Sequence, residues 1–299
     1  MVLAAFLLSA TLAGGNAVGI RFSNRELDPL WGAGIRFSLA AIILLAVMAA
    51  MRLQLPEGRA LAGTLLFGAL QFGGAFALAY YALVELHAGF GQIVLALVPL
   101  VTLLLVVIQR QERLRSAAIV GTVLALIGVV LMSRASLGES LPWLSLFAAI
   151  GSALCMAQAA VVVRGFPPVN PVTMNALGMV AGAVLLLAGS ALTGESLVMP
   201  RDEETWVAIS YLVVAGSVGV FLLYLYVLRH WSASRATYAF VLIPFVTVLL
   251  SAWLDDEPVG LGLLFGGLLV LAGVYVGALR PQEGELAAAD SRDRDIVSR

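Results

Sequence analysis

The chain has 299 residues, 61% of them hydrophobic and only 12% charged, with a formal net charge of −1 and a mean hydropathy of +1.01. Soluble domains carry about 25% charge and about 45–50% apolar residues, so this chain cannot cover itself with polar surface and expects lipid as its solvent. The balanced charge offers no basic patch for a nucleic acid, and a single cysteine, Cys155, excludes a disulfide framework.

A bilayer core of about 30 Å needs about 20 apolar residues per helix. On that measure ten segments qualify. Segment 2–20 carries Gly14-Gly15-Asn16 and has no basic residue before its apolar stretch, so it reads as a retained span rather than a signal peptide. Segment 30–51 follows Asp28-Pro29 and holds Arg36. At 1.5 Å per residue, that arginine lies roughly 9 Å deep. An intramembrane charge costs a few kcal/mol on insertion scales, so Arg36 should face the interior and have a partner. It either binds an anionic group such as a substrate carboxylate, or braces helix-end carbonyls or Glu85.

Segment 60–83 follows Pro56-Glu57-Gly58 and carries Gln71, Tyr80 and Tyr81. Glu85 and His87 then occupy a turn, and segment 87–108 carries Gln92 and Pro99. Segments 114–133, 142–163 (with Gln158) and 171–193 (with Asn175) come next, the last after Pro167-Pro168-Val169-Asn170-Pro171. Segment 205–228 carries Tyr211, Tyr224 and Tyr226, and 233–254 carries Tyr238 and Pro244. Segment 259–279 ends the spans, and the polar tail 281–299 reads as disordered. The membrane-depth amides and phenols either bond across helices or line a cavity suited to a zwitterion or a planar metabolite. Pro99 and Pro244 each remove a helical hydrogen bond, acting as hinges or as static kinks.

Orientation follows from the arginines. Arg52, Arg59, Arg110, Arg113, Arg115, Arg164, Arg229, Arg235 and Arg280 fall on one side of the alternating loops. Arg21, Arg25, Arg134 and Arg201 fall on the other, among most of the loop acids. The first group, with both termini, is placed in the cytoplasm of a bacterial cell bounded by its inner membrane.

Spans four and five recur as spans nine and ten. Pro99 and Pro244 are 145 residues apart (244 − 99), and that offset also pairs Tyr81 with Tyr226, Val101-Thr102 with Val246-Thr247, Glu112 with Glu257, and Gly121 with Gly266. A five-span unit must invert on repetition. The expected fold is therefore all-α and transmembrane, ten helices in two inverted five-helix repeats (1–135 and 136–280). Such repeats recur in secondary transporters, where rocking one half against the other gives alternating access. Glu112 and Glu257 stand just before helices and read as caps rather than catalytic acids.

The duplicated Tyr, mid-helix Pro, following Glu and Gly-x6-Gly, in that order, resemble the EamA-type repeat of the drug/metabolite transporter superfamily. Arg36-Phe37 after Asp28-Pro29 resembles that family's Pro…Arg-Phe pattern, although Gly178 stands where the second repeat would align an arginine. The resemblance covers about residues 5–280. It implies a ten-helix carrier for amino acids, other metabolites or drugs, without a cofactor. It also puts Asn16, Tyr81, Gln92, Gln158 and Asn175 on spans lining the central pathway, beside Arg36.

Gly15-x3-Gly19, Gly178-x3-Gly182, Gly262-x3-Gly266 and Gly273-x3-Gly277 allow close helix approach, either within the bundle or in a homodimer through span ten. An integral-membrane enzyme would need clustered His, Asp, Glu or Cys, and none exists here; no metal site is expected. A channel would rely on charge rings or carbonyl filters made by oligomer symmetry. A channel or a non-transporting scaffold is the alternative to a small-metabolite exporter.

Overall fold

A computed structural model describes residues 1–85, 98–111, 116–132, 143–254 and 261–279, and every regular element among them is helical. Gln92, His87, Glu112 and Glu257 lie outside the described residues, as does the tail. In chain order the helices are α1 (Val2–Gly14), α2 (Asn16–Ser23), α3 (Pro29–Ala50), α4 (Gly58–Gly68), the π-turn π1 (Ala69–Gly74) and α5 (Ala75–Glu85). They continue as α6 (Val98–Ile108), α7 (Ser116–Met132), α8 (Trp143–Gly165) and α9 (Pro171–Thr193). The last are α10 (Glu203–Val213), the π-turn π2 (Val214–Gly219), α11 (Val220–His230), α12 (Ala233–Ala236), α13 (Ala239–Leu254), α14 (Leu261–Val274) and the π-turn π3 (Tyr275–Leu279).

Five helices are long and apolar enough to cross a membrane: Pro29–Ala50, Gly58–Val84, Trp143–Gly165, Pro171–Thr193 and Glu203–His230. Several shorter apolar helices, among them Val2–Gly14, Ser116–Gly128 and Phe265–Gly277, fall within other expected spans. The first expected span is broken: α1 ends at Gly14 and α2 restarts at Asn16.

Local chemistry explains the boundaries. Proline at the first helical position starts α3 and α9, where its missing N–H costs nothing. Asn170 caps α9, its side chain accepting from Val172 N at 2.9 Å, and Gly194 closes that helix with φ 72°. Large apolar side chains such as Ile42 (62% exposed) and Phe265 (61%) lie on the outside, as lipid contact requires.

The bundle is held by close backbone approach. α3 packs along α9, α7 along α14, α5 along α8, and α1 along both α11 and α13. A Cβ on Gly68 would strike the Gly178 backbone, and one on Gly182 would strike Phe72. Gly121 faces Gly273 and Gly277, and Gly128 faces Gly266. Three of the four glycines in the last two Gly-x3-Gly pairs therefore serve packing inside the chain.

Candidate substrate-binding site

The π-turn in the middle of Glu203–His230 is the seat of the site. A π-turn bonds i to i+5, which widens the helix and leaves carbonyls turned away from its axis. At π2 these groups meet Arg36, about 10 Å along α3 from Pro29 at 1.5 Å per residue. Arg36 is fully buried. Its Nε donates to Ser217 Oγ (2.8 Å) and its Nη2 to the Gly216 carbonyl (2.9 Å). The guanidinium carbon lies 5.0 Å from the Phe37 ring centre and 5.1 Å from that of Phe76. Nη1 is buried and makes no hydrogen bond to the described residues, and no carboxylate among them lies within ion-pair distance.

Burying a guanidinium costs several kcal/mol unless it is paired or hydrogen-bonded. Here two neutral acceptors and two aromatic faces offset part of that cost. The acceptors are one hydroxyl and one carbonyl of a mid-helix π-turn, not the helix-end carbonyls or Glu85 that the sequence suggested. The third nitrogen supplies a donor suited to an anion.

The neighbours of Arg36 are set by the break in the first span. Asn16 Nδ2 donates to the same Gly216 carbonyl (3.3 Å), while its Oδ1 is buried without a partner. Two carbonyls near the break are taken from other helices: Leu12 O by Tyr211 Oη (2.6 Å) and Gly14 O by Thr247 Oγ1 (3.0 Å). Thr247 also bonds Ile243 O, as Thr102 bonds Val98 O, so the repeated Val-Thr makes the same back-bond in both places.

The other sequence candidates scatter. Asn175 is fully buried on α9, with neither amide atom bonded. Gln158 accepts from Gln109 (2.8 Å) near the surface. Tyr81 is 45% exposed, whereas its neighbour Tyr80 is buried against Phe76. Pro99 lies in α6, which is described only from residue 98 onward, and Pro244 lies inside α13. Sequence reasoning missed Gly216, Ser217 and Thr247. The signal for the first two was a difference: at the 145-residue offset they replace Gln71 and Phe72. Phe72 packs instead on Gly178, where the second repeat lacks its arginine, and on Phe37, Phe67 and Phe221.

The model of the EamA-like transporter family matches twice, over residues 1–134 and 143–278. The "Uncharacterized inner membrane transporter YedA" of Escherichia coli is 31% identical over 277 residues, 88% of each chain. An "Uncharacterized transporter" of Archaeoglobus fulgidus is 28% identical, covering 90% of this chain and 95% of its own. The "Probable amino-acid metabolite efflux pump" of Escherichia coli is 26% identical, covering 90% and 92%. A crystal structure at 18% identity superimposes with a TM-score of 0.75 over 93% of this chain and 96% of its own, which supports the fold alone. The relatives are named as transporters rather than enzymes.

Proposed function

Because the chain belongs to the EamA-like transporter family, we propose that it is a secondary exporter of a small carboxylate-bearing metabolite, such as an amino acid, working by alternating access. The observation that carries this reading is Arg36: a fully buried guanidinium with Nη1 unbonded and no carboxylate beside it among the described residues. A substrate carboxylate would complete its coordination by a charge-assisted hydrogen bond. Asn16 bonds the first span to this π-turn and Tyr211 bonds it to α10 just before the turn, so binding there acts on helices that must move.

The two halves that would rock are residues 1–135 and 136–280, as inverted repeats in an inner membrane with both termini cytoplasmic. Support comes from helix bounds that recur at one offset: α4, π1 and α5 start at residues 58, 69 and 75, and α10, π2 and α11 start at 203, 214 and 220, each 145 later (203 − 58). The packing partners also exchange in pairs. α5 lies on α8 as α11 lies on α1, and α6 on α8 as α13 on α1. A homodimer would use the exposed outer face of α14 around Phe265 and Leu268 rather than its glycines.

The test is flux in liposomes across a panel of amino acids. Saturable export lost in Arg36→Gln, with the protein still folded and monodisperse, supports the reading. Undiminished flux in that variant removes Arg36 from the site, and non-saturable flux would favour a channel.

A further inference from the structure

At one end of the bundle three carboxylates are bound almost entirely to backbone N–H groups of the other half. Glu195, in the loop after α9, accepts from Leu30 N (3.1 Å) and Trp31 N (2.8 Å), and so caps α3 from outside its own half. Asp28 stands at the N-cap of α3 without capping it, and accepts instead from Ser196 N (2.6 Å). Glu26 accepts from Arg201 N (3.0 Å) and from Asp202 N (3.3 Å), the N-cap residue of α10. Trp31 Nε1 donates to Val198 O (2.6 Å), and Arg25 pairs with Glu204 at 3.3 Å. Each bond joins the loop of residues 24–31 to the segment 195–204.

The opposite end differs. Asn170 stands before Pro171 as Asp28 stands before Pro29, yet it caps its own helix through Val172 N. Among the described residues no side-chain hydrogen bond joins the loop 51–57 to the loop 166–170. One exchange of acid for amide at a matched N-cap, plus Glu195 and Glu26, ties this pair of loops and leaves the matched pair untied; at that opposite end the halves are joined instead by two neutral amide bonds, Gln109 Nε2 to Gln158 Oε1 (2.8 Å) and Gln111 Nε2 to the Val161 carbonyl (3.3 Å).

We infer that Glu26, Asp28 and Glu195 are gate residues of the transport cycle, a latch that must release before the site opens at their end. The inference rests on the alternating-access reading above. Rocking the halves apart at this end pulls α3 from the loop after α9 and breaks these bonds together. With the latch made, the carrier rests closed on the acidic face, which the arginine distribution puts outside; that suits an exporter loading from within.

Ser23 gives a readout that needs no substrate. It is 1% exposed, ends α2 just beneath the latch, and lies beside Gly32. In a Cys155→Ser background, Ser23→Cys puts a thiol of similar size there. A membrane-impermeant maleimide should label it slowly. Adding Glu26→Ala and Glu195→Ala should raise the rate at least about tenfold, since several charge-assisted bonds are lost. Glu195→Gln alone, which keeps an acceptor oxygen, should give a smaller rise and serves if the double variant does not fold. Fast labelling with the latch intact, or an unchanged rate in folded latch variants, overturns the gate. Accelerated labelling in a protein that moves no amino acid would keep the latch and sink the proposed function instead.

Discussion

Arg36 and Ser217, 181 residues apart, meet in the interior of the bundle with Nε donating to Oγ at 2.8 Å. Each answers a need of the other: burying the arginine without acceptors, or the hydroxyl without a partner, costs free energy. Ser217→Ala leaves Nε without its acceptor and should cost about 1–3 kcal/mol. Thermal unfolding in detergent should show a clear drop for alanine and a smaller one for Ser217→Thr, which keeps the hydroxyl. Equal melting of Ser217→Ala and wild type would mean that water or another group serves Nε.

The α4–α9 crossing depends on two glycines. Gly68→Ala places a methyl against the Gly178 backbone and Gly182→Ala places one against Phe72. Overpacking of this kind costs about 1–3 kcal/mol. Gly189→Ala is the control, because its Cβ would stand 3.3 Å from the movable end of Leu30. The first two variants should melt well below the third.

Glycines on α14 and π3 make a separate claim. Gly273 packs on Gly121 and Ala125, and Gly277 lies against the Tyr238 ring. Gly273→Ala should therefore lower the melting temperature without changing the mass of the solubilised particle. A shift from dimer to monomer at unchanged stability would instead assign that face to a second copy.

The inverted repeat predicts opposite sidedness. Single cysteines replacing Glu112 and Glu257, matched at the 145-residue offset, should react with an impermeant thiol reagent from the cytoplasmic and the outer face respectively. Reaction of both from one face would end the inverted-repeat reading.

Proton drive is not expected. A coupling carboxylate sits deep in a span, where desolvation raises its pKa toward neutrality. By the hydropathy of the sequence the acids fall in loops, at expected helix starts or in the tail, and only Glu85 approaches a span. An imposed pH gradient should leave the substrate equilibrated and not concentrated. Proton-driven accumulation lost in Glu85→Gln would overturn this.

The Glu26 arm of the latch should also be indifferent to pH near neutrality. Desolvation pushes the Glu26 carboxyl up, but the Arg201 and Asp202 N–H groups, the Thr205 hydroxyl and the Arg201 charge together bring it below its ordinary value of 4.5. A lowered carboxyl contributes fully above its ordinary value and loses that contribution as pH falls through its folded value. The acceleration that Glu26→Ala gives to labelling of Ser23→Cys, corrected for reagent chemistry, should thus stay flat from about pH 5.5 to 8.

What the sequence determined by itself was local or periodic. Hydropathy located the long spans because the cost of burying polar groups in lipid is summed residue by residue. The 145-residue offset was legible because Pro, Thr, Glu and Gly rarely coincide by chance, and helix bounds from Gly58 to His230 recur at the same offset. That Arg36 needed partners followed from its charge. Which partners it takes did not, for Ser217 and the Gly216 carbonyl reach it through a crossing set by distant glycines and through a π-turn without a sequence signature. A second such turn, π1, precedes Tyr80 and Tyr81. One added residue at π1 rotates everything after it by about 100°, so a face read from an uninterrupted helix is out of register by residue 80. Only the tertiary structure could turn Tyr80 inward and leave Tyr81 at the surface. The latch carboxylates belong with these. As loop acids they look like solvated charge, and it takes the meeting of residues 26–31 with 195–202 in the folded chain to bring them onto each other's backbone.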